Sequence, residues 1–332
     1  MHARARLKIS LIIPLYDRRT AGWRPLESAV AQTLGRDQYE IVVVVGRPFG
    51  DEPATDAHAE ALLRHCDAVV RIDADPTRTD QEIPFLMAGF AHSTGNLLLF
   101  MEGHTELDPE CCAMIAAHFR AFPQSQIAWA PRIHRSTTPL GRLIGMHSKR
   151  HERRAWEHGG FWLGANSIIT REYFEHLGRL DAGYMRFCER VLSERILREN
   201  VPIARLAMPL STHHDDMPLS QLLDVARAAG AAKYRYYSAP QDGAGPVKVR
   251  HGIYLVAKHI AGALVLFPLA CVLGSPLLRA AVACVRTRRT LAYRLYVLGF
   301  GLADLSGYCR ARIRALRRHE TRDIELARDA RR

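Results

Sequence analysis

The chain has 332 residues, enough for one large core or two small ones, and its 48% hydrophobic content is that of a globular protein. Its formal charge of +12 comes almost wholly from Arg, because only Lys8, Lys149, Lys233, Lys248 and Lys258 carry ammonium groups; such a surface suits phosphates and carboxylates. Seven cysteines, odd in number and without CxxC spacing, argue against a disulfide framework, and the Arg runs lack the motifs and interleaved aromatics of a nucleic-acid binder.

The opening MHARARLKISLIIPLYD is basic and then apolar, like a signal peptide. Its apolar run covers only Ser10 to Leu15, however, and ends at Asp17 without a small-residue cleavage site, so it reads as a first strand. KISLIIP and YEIVVVV (Tyr39 to Val45) are continuous β-branched runs, the mark of strands covered on both faces. RPLESAVAQTL (Arg24 to Leu34) lies between them at helical spacing. AVVRI (Ala68 to Ile72) follows the helical DAHAEALLRHC, NLLLF follows IPFLMAGFAH, and QIAWAPRI (Gln126 to Ile133) follows PECCAMIAAHFRAF. Strands alternating with helices imply βαβ units and a mostly parallel sheet, whose ligands bind at the carboxyl ends of the strands. At that edge the apolar run Leu97 to Met101 breaks into Glu102, Gly103 and His104. Further on, CERVLSERILREN (Cys188 to Asn200) is an amphipathic helix with Glu189 in its first turn, and Glu194 reads as half of a helical ion pair. VPIARLAMPL reads as an edge strand, and STHHDDMPLS places two His and two Asp in a loop before another helix.

The order of these motifs resembles family 2 glycosyltransferases, over roughly Leu7 to Tyr237. ISLIIPLYDRRTAGWRPLESAVAQTL looks like that family's opening strand, ending in Pro-x-Tyr-Asn, with a Ser-x-x-x-Gln helix. LMAGFAHSTGNLLLFMEGHTELDP is similar to the stretch ending in Asp-x-Asp, with Glu102 and His104 on the two acidic positions. WLGANSIITREYFEHLGRLD resembles the segment that presents acceptor and donor contacts, and CERVLSER the helix that presents the base. The resemblance implies an α/β GT-A nucleotide-sugar fold with a mostly parallel central sheet. It implies donor contacts from Pro14, Tyr16, Asp17, Glu102 and Gly103, and acceptor or donor contacts from Trp162, Gly164 and Asn166.

Transfer from a nucleoside diphosphate develops negative charge on the leaving diphosphate, which a divalent cation neutralises as a Lewis acid. Glu102 and His104 keep the spacing for this, and His213 or His214 stands where the family often adds a late His. Imidazole ligands favour Mn²⁺ over Mg²⁺. The bland alternatives are loop polarity for Glu102 and His104 and a solvated polar loop for His213 and His214. A carboxylate must take the acceptor's proton, and Glu189 stands at that position; a single base implies an inverting displacement. Three departures bear on the assignment. Cys188-Glu189 replaces the family's Glu-Asp, Asp17 replaces its Asn, and Val45-Gly46 stand where an Asp often reads uracil, so that carboxylate is missing or displaced to Asp51.

Past Tyr237 the composition changes. SAPQDGAGP is a linker, and Ile260 to Leu278 is an uncharged run interrupted by Pro268, Gly274 and Pro276, with basic flanks. LAYRLYVLGFGLADLSGYCRARIRALRR then reads as an Arg-rich amphipathic helix. The expected organisation is a GT-A domain at 1–237, a linker at 238–250 and a helical membrane-attachment region at 251–332, re-entrant or interfacial rather than spanning. A buried helical subdomain or a dimer interface is the alternative for that region. The functional expectation is a hexosyltransferase of cell-envelope polysaccharide at the cytoplasmic face of the membrane. It would use a nucleotide-sugar donor, a saccharide or lipid-linked acceptor, an anionic membrane surface and Mn²⁺ or Mg²⁺, without nucleic acid. The alternative is a catalytically impaired nucleotide- or glycan-binding relative.

Overall fold

A computed structural model of the chain describes residues 7–15, 23–47, 57–73, 82–157, 167–180, 188–238, 272–285 and 289–329. The chain divides into two compact units, Met1–Met217 and Pro218–Arg332. In the first unit the strands are β1 (Ile9–Leu15), β2 (Tyr39–Arg47), β3 (Ala68–Asp73), β4 (Leu97–Phe100) and β5 (Thr105–Leu107). They continue as β6 (Ile127–Trp129), β7 (Arg132–Arg135), β8 (Ser167–Thr170), β9 (Ile203–Arg205) and β10 (Ser211–His214). The helices are α1 (Arg24–Val30), α2 (Ala57–Leu63), α3 (Glu82–His92), α4 (Cys111–Ala121), α5 (Pro139–Glu157), α6 (Arg171–His176) and α7 (Cys188–Glu199).

Seven strands form one sheet in the order β3-β2-β1-β4-β8-β6-β9. Its pairs are parallel except where β8 runs antiparallel between β4 and β6. The continuous apolar runs of β1 and β4 follow from their central place, where every residue is buried. Alternate side chains go to opposite faces: Ile9, Leu11 and Ile13 join Leu26 and Ile115 under α1 and α4, while Ile12, Leu98 and Phe100 join Phe90, Phe174 and Leu192 under α3, α6 and α7. At the opposite end of the sheet from Glu102 a buried carboxylate ties three segments together. Glu40 of β2 accepts from Lys8 Nζ (2.7 Å), Ser10 Oγ (2.6 Å), Thr94 Oγ1 (2.6 Å) and the Gly95 amide (2.9 Å).

Three local expectations change. The run Gln126 to Ile133 is not one strand: β6 lies in the large sheet and β7 in a second sheet of order β5-β10-β7. Ala130-Pro131 separates them, and proline has no N–H to continue a ladder. The STHH stretch, expected as loop, is strand β10. Helix α1 stops at Val30 rather than Leu34, because the following residues are claimed from outside. Gln32 donates to the Asp108 carbonyl (2.9 Å) and accepts from the Cys112 amide (2.9 Å), while Ser28 Oγ accepts from the Leu107 amide (3.0 Å). The Ser-x-x-x-Gln pair therefore clamps the segment that follows β5.

In the second unit α8 (Leu219–Ser238) packs along α10 (Arg289–Asp329), with α9 spanning 272–284. Leu222, Ala226, Ala232 and Tyr236 of α8 are buried, as are Ala303, Ser306 and Tyr308 of α10. A side chain at Gly230 would collide with the Asp304 carbonyl, and one at Gly307 with the Arg227 carbonyl, so the two backbones nearly touch at both glycines. The division falls ahead of α8, where the sequence suggested a boundary at 237. Residues 239–271, with most of the expected linker and apolar hairpin, lie outside the described residues. Among the described residues, no helix is long and apolar enough to cross a membrane.

Candidate active site at the end of β4

Phe100 ends β4, and the Met101 amide still donates to the Ile12 carbonyl of β1 (2.9 Å). The chain then turns through Glu102, Gly103 and His104, and the Thr105 amide closes the turn on the Glu102 carbonyl (3.1 Å). A Cβ on Gly103 would stand 2.5 Å from the Pro14 carbonyl oxygen. The residue between Glu102 and His104 must therefore lack a side chain for the turn to rest against the end of β1.

Strand β10 brings the third element. It lies between β5 and β7, with His213 opposite both Thr105 and His134, and Ser211 opposite Arg132. His213 Nε2 stands 2.8 Å from His104 Nε2 and 3.3 Å from Glu102 Oε2. One ligand atom from each of Glu102, His104 and His213 falls within 4.8 Å of the others; so does one from each of His134, His213 and Asp215. Neighbouring ligands of an octahedral ion at about 2.1 Å stand about 3 Å apart, so the first set suits one divalent cation. Two imidazoles and one carboxylate favour Mn²⁺ over Mg²⁺.

A second ring of charges holds these groups. Asp215 accepts from His213 Nδ1 (2.9 Å) and lies 3.1 Å from His134 Nδ1, whose Nε2 is 3.1 Å from Glu152 Oε1. Arg132 Nη1 donates to Glu102 Oε2 (2.6 Å), and its Nε donates to Glu152. Asp215, Arg132 and His134 are nearly inaccessible to solvent, at 1%, 2% and 2% side-chain exposure, so these partners are what makes their charges tolerable. Burial disfavours a charge on Glu102, but Arg132 and then His213 outweigh it and hold the carboxyl well below the usual range. Burial and Arg132 both disfavour an imidazolium at His213, yet Glu102 and Asp215 raise its pKa above that of a free imidazole. An imidazolium there donates Nδ1–H to Asp215 and Nε2–H to His104. Losing the Nε2 proton alone leaves Nδ1–H on Asp215 and turns a lone pair toward Glu102 and His104, the tautomer a metal ligand needs.

The other anticipated residues distribute as follows. His214 faces away from this cluster: its Nε2 bonds Glu106 Oε1 (2.7 Å), as alternation along β10 requires, so only His213 of the pair joins Glu102 and His104. Pro14 ends β1 beneath the turn. Glu189 is half-buried in the first turn of α7, beside Cys188, which shares an apolar cluster with Phe100. Glu194 pairs with Arg190 (3.0 Å), as expected. Tyr16, Asp17, Asp51, Trp162, Gly164 and Asn166 lie outside the described residues. Arg132, His134, Glu152 and Asp215 escaped the sequence reading. The signals were the alternation of Arg132-Ile133-His134 and the Asp following the two histidines.

A model of the family "Glycosyl transferase family 2" matches residues 10–178, from β1 through α6. The chain belongs to glycosyl transferase family 2. This glycosyltransferase has the GT-A fold with a mostly parallel central sheet, and the matched segment contains Glu102, His104, Arg132, His134 and Glu152. No curated protein matches the sequence. Among solved structures, S. aureus TarS 1-349 is similar at a TM-score of 0.50 and 13% identity, covering 92% of this chain and 91% of that one. Its complex with UDP-GlcNAc matches at a TM-score of 0.50 and 12% identity, covering 92% of each chain. Mannosyltransferase PcManGT from Pyrobaculum calidifontis, in complex with GDP-Man and Mn²⁺, matches at a TM-score of 0.55 and 15% identity, covering 93% of this chain and 87% of that one. At these identities the likeness is one of fold.

Proposed function

We propose that the protein transfers a hexose from a nucleotide-sugar donor to a hydroxyl of a saccharide or lipid-linked acceptor, with inversion, at the cytoplasmic face of the cell membrane. The observation that carries this reading is the convergence of Glu102, His104 and His213 at the carboxyl end of β4 in a family 2 glycosyltransferase. These three residues would hold a divalent cation, Mn²⁺ in preference to Mg²⁺. Such an ion neutralises the charge developing on the leaving diphosphate. The donors named with TarS and PcManGT, UDP-GlcNAc and GDP-Man, both carry six-carbon sugars, which supports hexosyl transfer here. Arg132 fixes the direction of the Glu102 carboxylate, Asp215 fixes the tautomer of His213, and Gly103 lets the turn rest on β1. Glu189 serves as the base, taking the proton from the acceptor hydroxyl as its oxygen attacks the anomeric carbon. An acceptor in the cell envelope and a membrane address draw on the Arg-rich C-terminal helices.

A thermal-shift screen of nucleoside diphosphates and their sugars, with and without Mn²⁺, tests the donor and metal assignment. Mn²⁺ should enlarge the nucleotide-induced shift in the native protein, and His104→Ala should abolish that gain while folding normally. Equal nucleotide affinity with and without metal would remove the cation from the reading. A second reading is nucleotide binding without transfer, favoured by the Arg132 guanidinium already set against Glu102 at 2.6 Å. Tight donor binding with no single-turnover transfer to any acceptor would select it.

A further inference from the structure

Two aspartates follow β10, and they meet different elements. Asp215 extends the pairing of β10 with β7, its amide donating to the Arg135 carbonyl (2.9 Å). Its carboxylate meets the Nδ1 atoms of His213 (2.9 Å) and His134 (3.1 Å). Asp216 reaches the start of α5 instead. Its Oδ2 accepts from the Thr137 amide (2.8 Å) and hydroxyl (2.7 Å), and its Oδ1 from the Thr138 amide (3.0 Å) and hydroxyl (2.6 Å). Thr138 in turn caps α5: its hydroxyl accepts from the Gly141 amide (3.0 Å), and Pro139 takes the first helical position, where a missing N–H costs nothing.

Helix α5 receives both carboxylates on glycine. A Cβ on Gly141 would overlap Oδ1 of Asp216, and one on Gly145 would stand 2.7 Å from Oδ2 of Asp215. Residues 141 and 145 lie one turn apart on the same helix face, and Glu152, two turns beyond Gly145, shares it. Glu152 meets His134 Nε2 (3.1 Å) and Arg132. One face of α5 thus supports both aspartates and, through Glu152, the His134 imidazole. Glycine inside a helix costs stability relative to alanine, so helix formation does not explain this pair. The two carboxylates do. Admitting a methyl group at residue 145 would push the Asp215 carboxylate aside, swing the His213 imidazole bonded to it, and carry Nε2 away from Glu102 and His104.

We propose that Gly145 and Asp216 are positioning residues of the cation site: they fix the place of Asp215 and, through it, the direction of His213 Nε2. The inference rests on the reading of His213 as a metal ligand and adds that α5, outside the ligand set, aims it. The experiment is calorimetric titration of the metal-free full chain with Mn²⁺, run as a double-mutant cycle. Gly145→Ala should weaken Mn²⁺ binding about 10-fold, the low end for a disturbed hydrogen-bond partner of a metal ligand. In an Asp215→Ala background no carboxylate remains to be displaced, and Gly145→Ala should then change affinity by less than about 2-fold. Asp216→Ala should follow the same pattern, weakening the ion only while Asp215 is present. Gly301→Ala on α10, where an added Cβ meets nothing within 4 Å, should change affinity in neither background. A general loosening of the fold would lower affinity equally with and without Asp215. Equal losses in the two backgrounds, or no loss with Asp215 in place, would overturn the proposal. Should Gly145→Ala fail to fold, the Asp216 cycle decides alone by the same criteria. A native chain that binds no Mn²⁺ would remove the metal reading itself, and this inference with it.

Discussion

Charge is arranged in different ways in the two units. Around Glu102 every buried cation has a carboxylate at hydrogen-bonding distance: Arg132 meets Glu102 and Glu152, and His134 and His213 share Asp215. Along α8 and α10 the ion pairs lie nearer the surface: Arg227 meets Asp224 at 3.0 Å and Lys233 meets Asp304 at 2.7 Å, each with a side chain that is about one third exposed or more. Buried charge has no solvent to soften it, so the first arrangement must be balanced from within and becomes rigid in the process. Solvent screens the half-exposed pairs of the second unit, so they hold their side chains less firmly. Rigid geometry suits chemistry at a fixed point.

The sharpest way to test this contrast is at the base. If the balanced frame alone sets donor binding, Glu189→Gln should leave donor affinity nearly unchanged and slow single-turnover transfer about 10² to 10⁴-fold. Transfer at the native rate would remove Glu189 from the mechanism. Glu40 tests the cost of breaking a balanced buried group away from the site. Burial opposes its charge, but Lys8, Ser10 and Thr94 hold its pKa down to about 2. A depressed pKa contributes stability that is present above the unfolded-chain value and is lost as pH falls through the folded one. Glu40→Ala should therefore destabilise by about 3 kcal/mol at neutral pH in chemical denaturation, with the difference shrinking as pH drops from about 4.5 toward about 2. A pH-independent difference would mean that packing, rather than charge, is what Glu40 supplies. The mildest of the three effects concerns positioning. Asp215→Asn should weaken Mn²⁺ binding about 10 to 100-fold by calorimetry, whereas His214→Ala should leave it within error. Equal effects would erase the distinction between the two faces of β10.

The centre of the large sheet was legible because its strands are uniformly apolar: Ile9 to Leu15 and Tyr39 to Val45 can bury themselves only between layers of helix. The turn carrying Glu102 and His104 could be placed for the same reason, since β4 announces its end. The small sheet was not legible. Thr105–Leu107, Arg132–Arg135 and Ser211–His214 are three or four residues each and largely polar, so their pairing depends on partners far along the chain. Arg132 reaches Glu102 across thirty positions and His213 reaches His104 across 109, distances at which spacing carries no signal. The family resemblance pointed to His213 or His214 without choosing between them. Asp215 and His134, which support His213, become visible only once β7 and β10 lie side by side. The pairing of α8 with α10 was not legible either, since about fifty residues separate the two helices in the sequence.

The near-contact of α8 and α10 at Gly230 and Gly307 fixes a dimension as well as a packing. At these two points the spacing of the helices is set by backbone against backbone, Gly230 against the Asp304 carbonyl and Gly307 against the Arg227 carbonyl. Mutational drift on the exposed faces leaves these two contacts untouched. A single methyl at either glycine would force the two helices apart, so their close approach hangs on two hydrogen atoms.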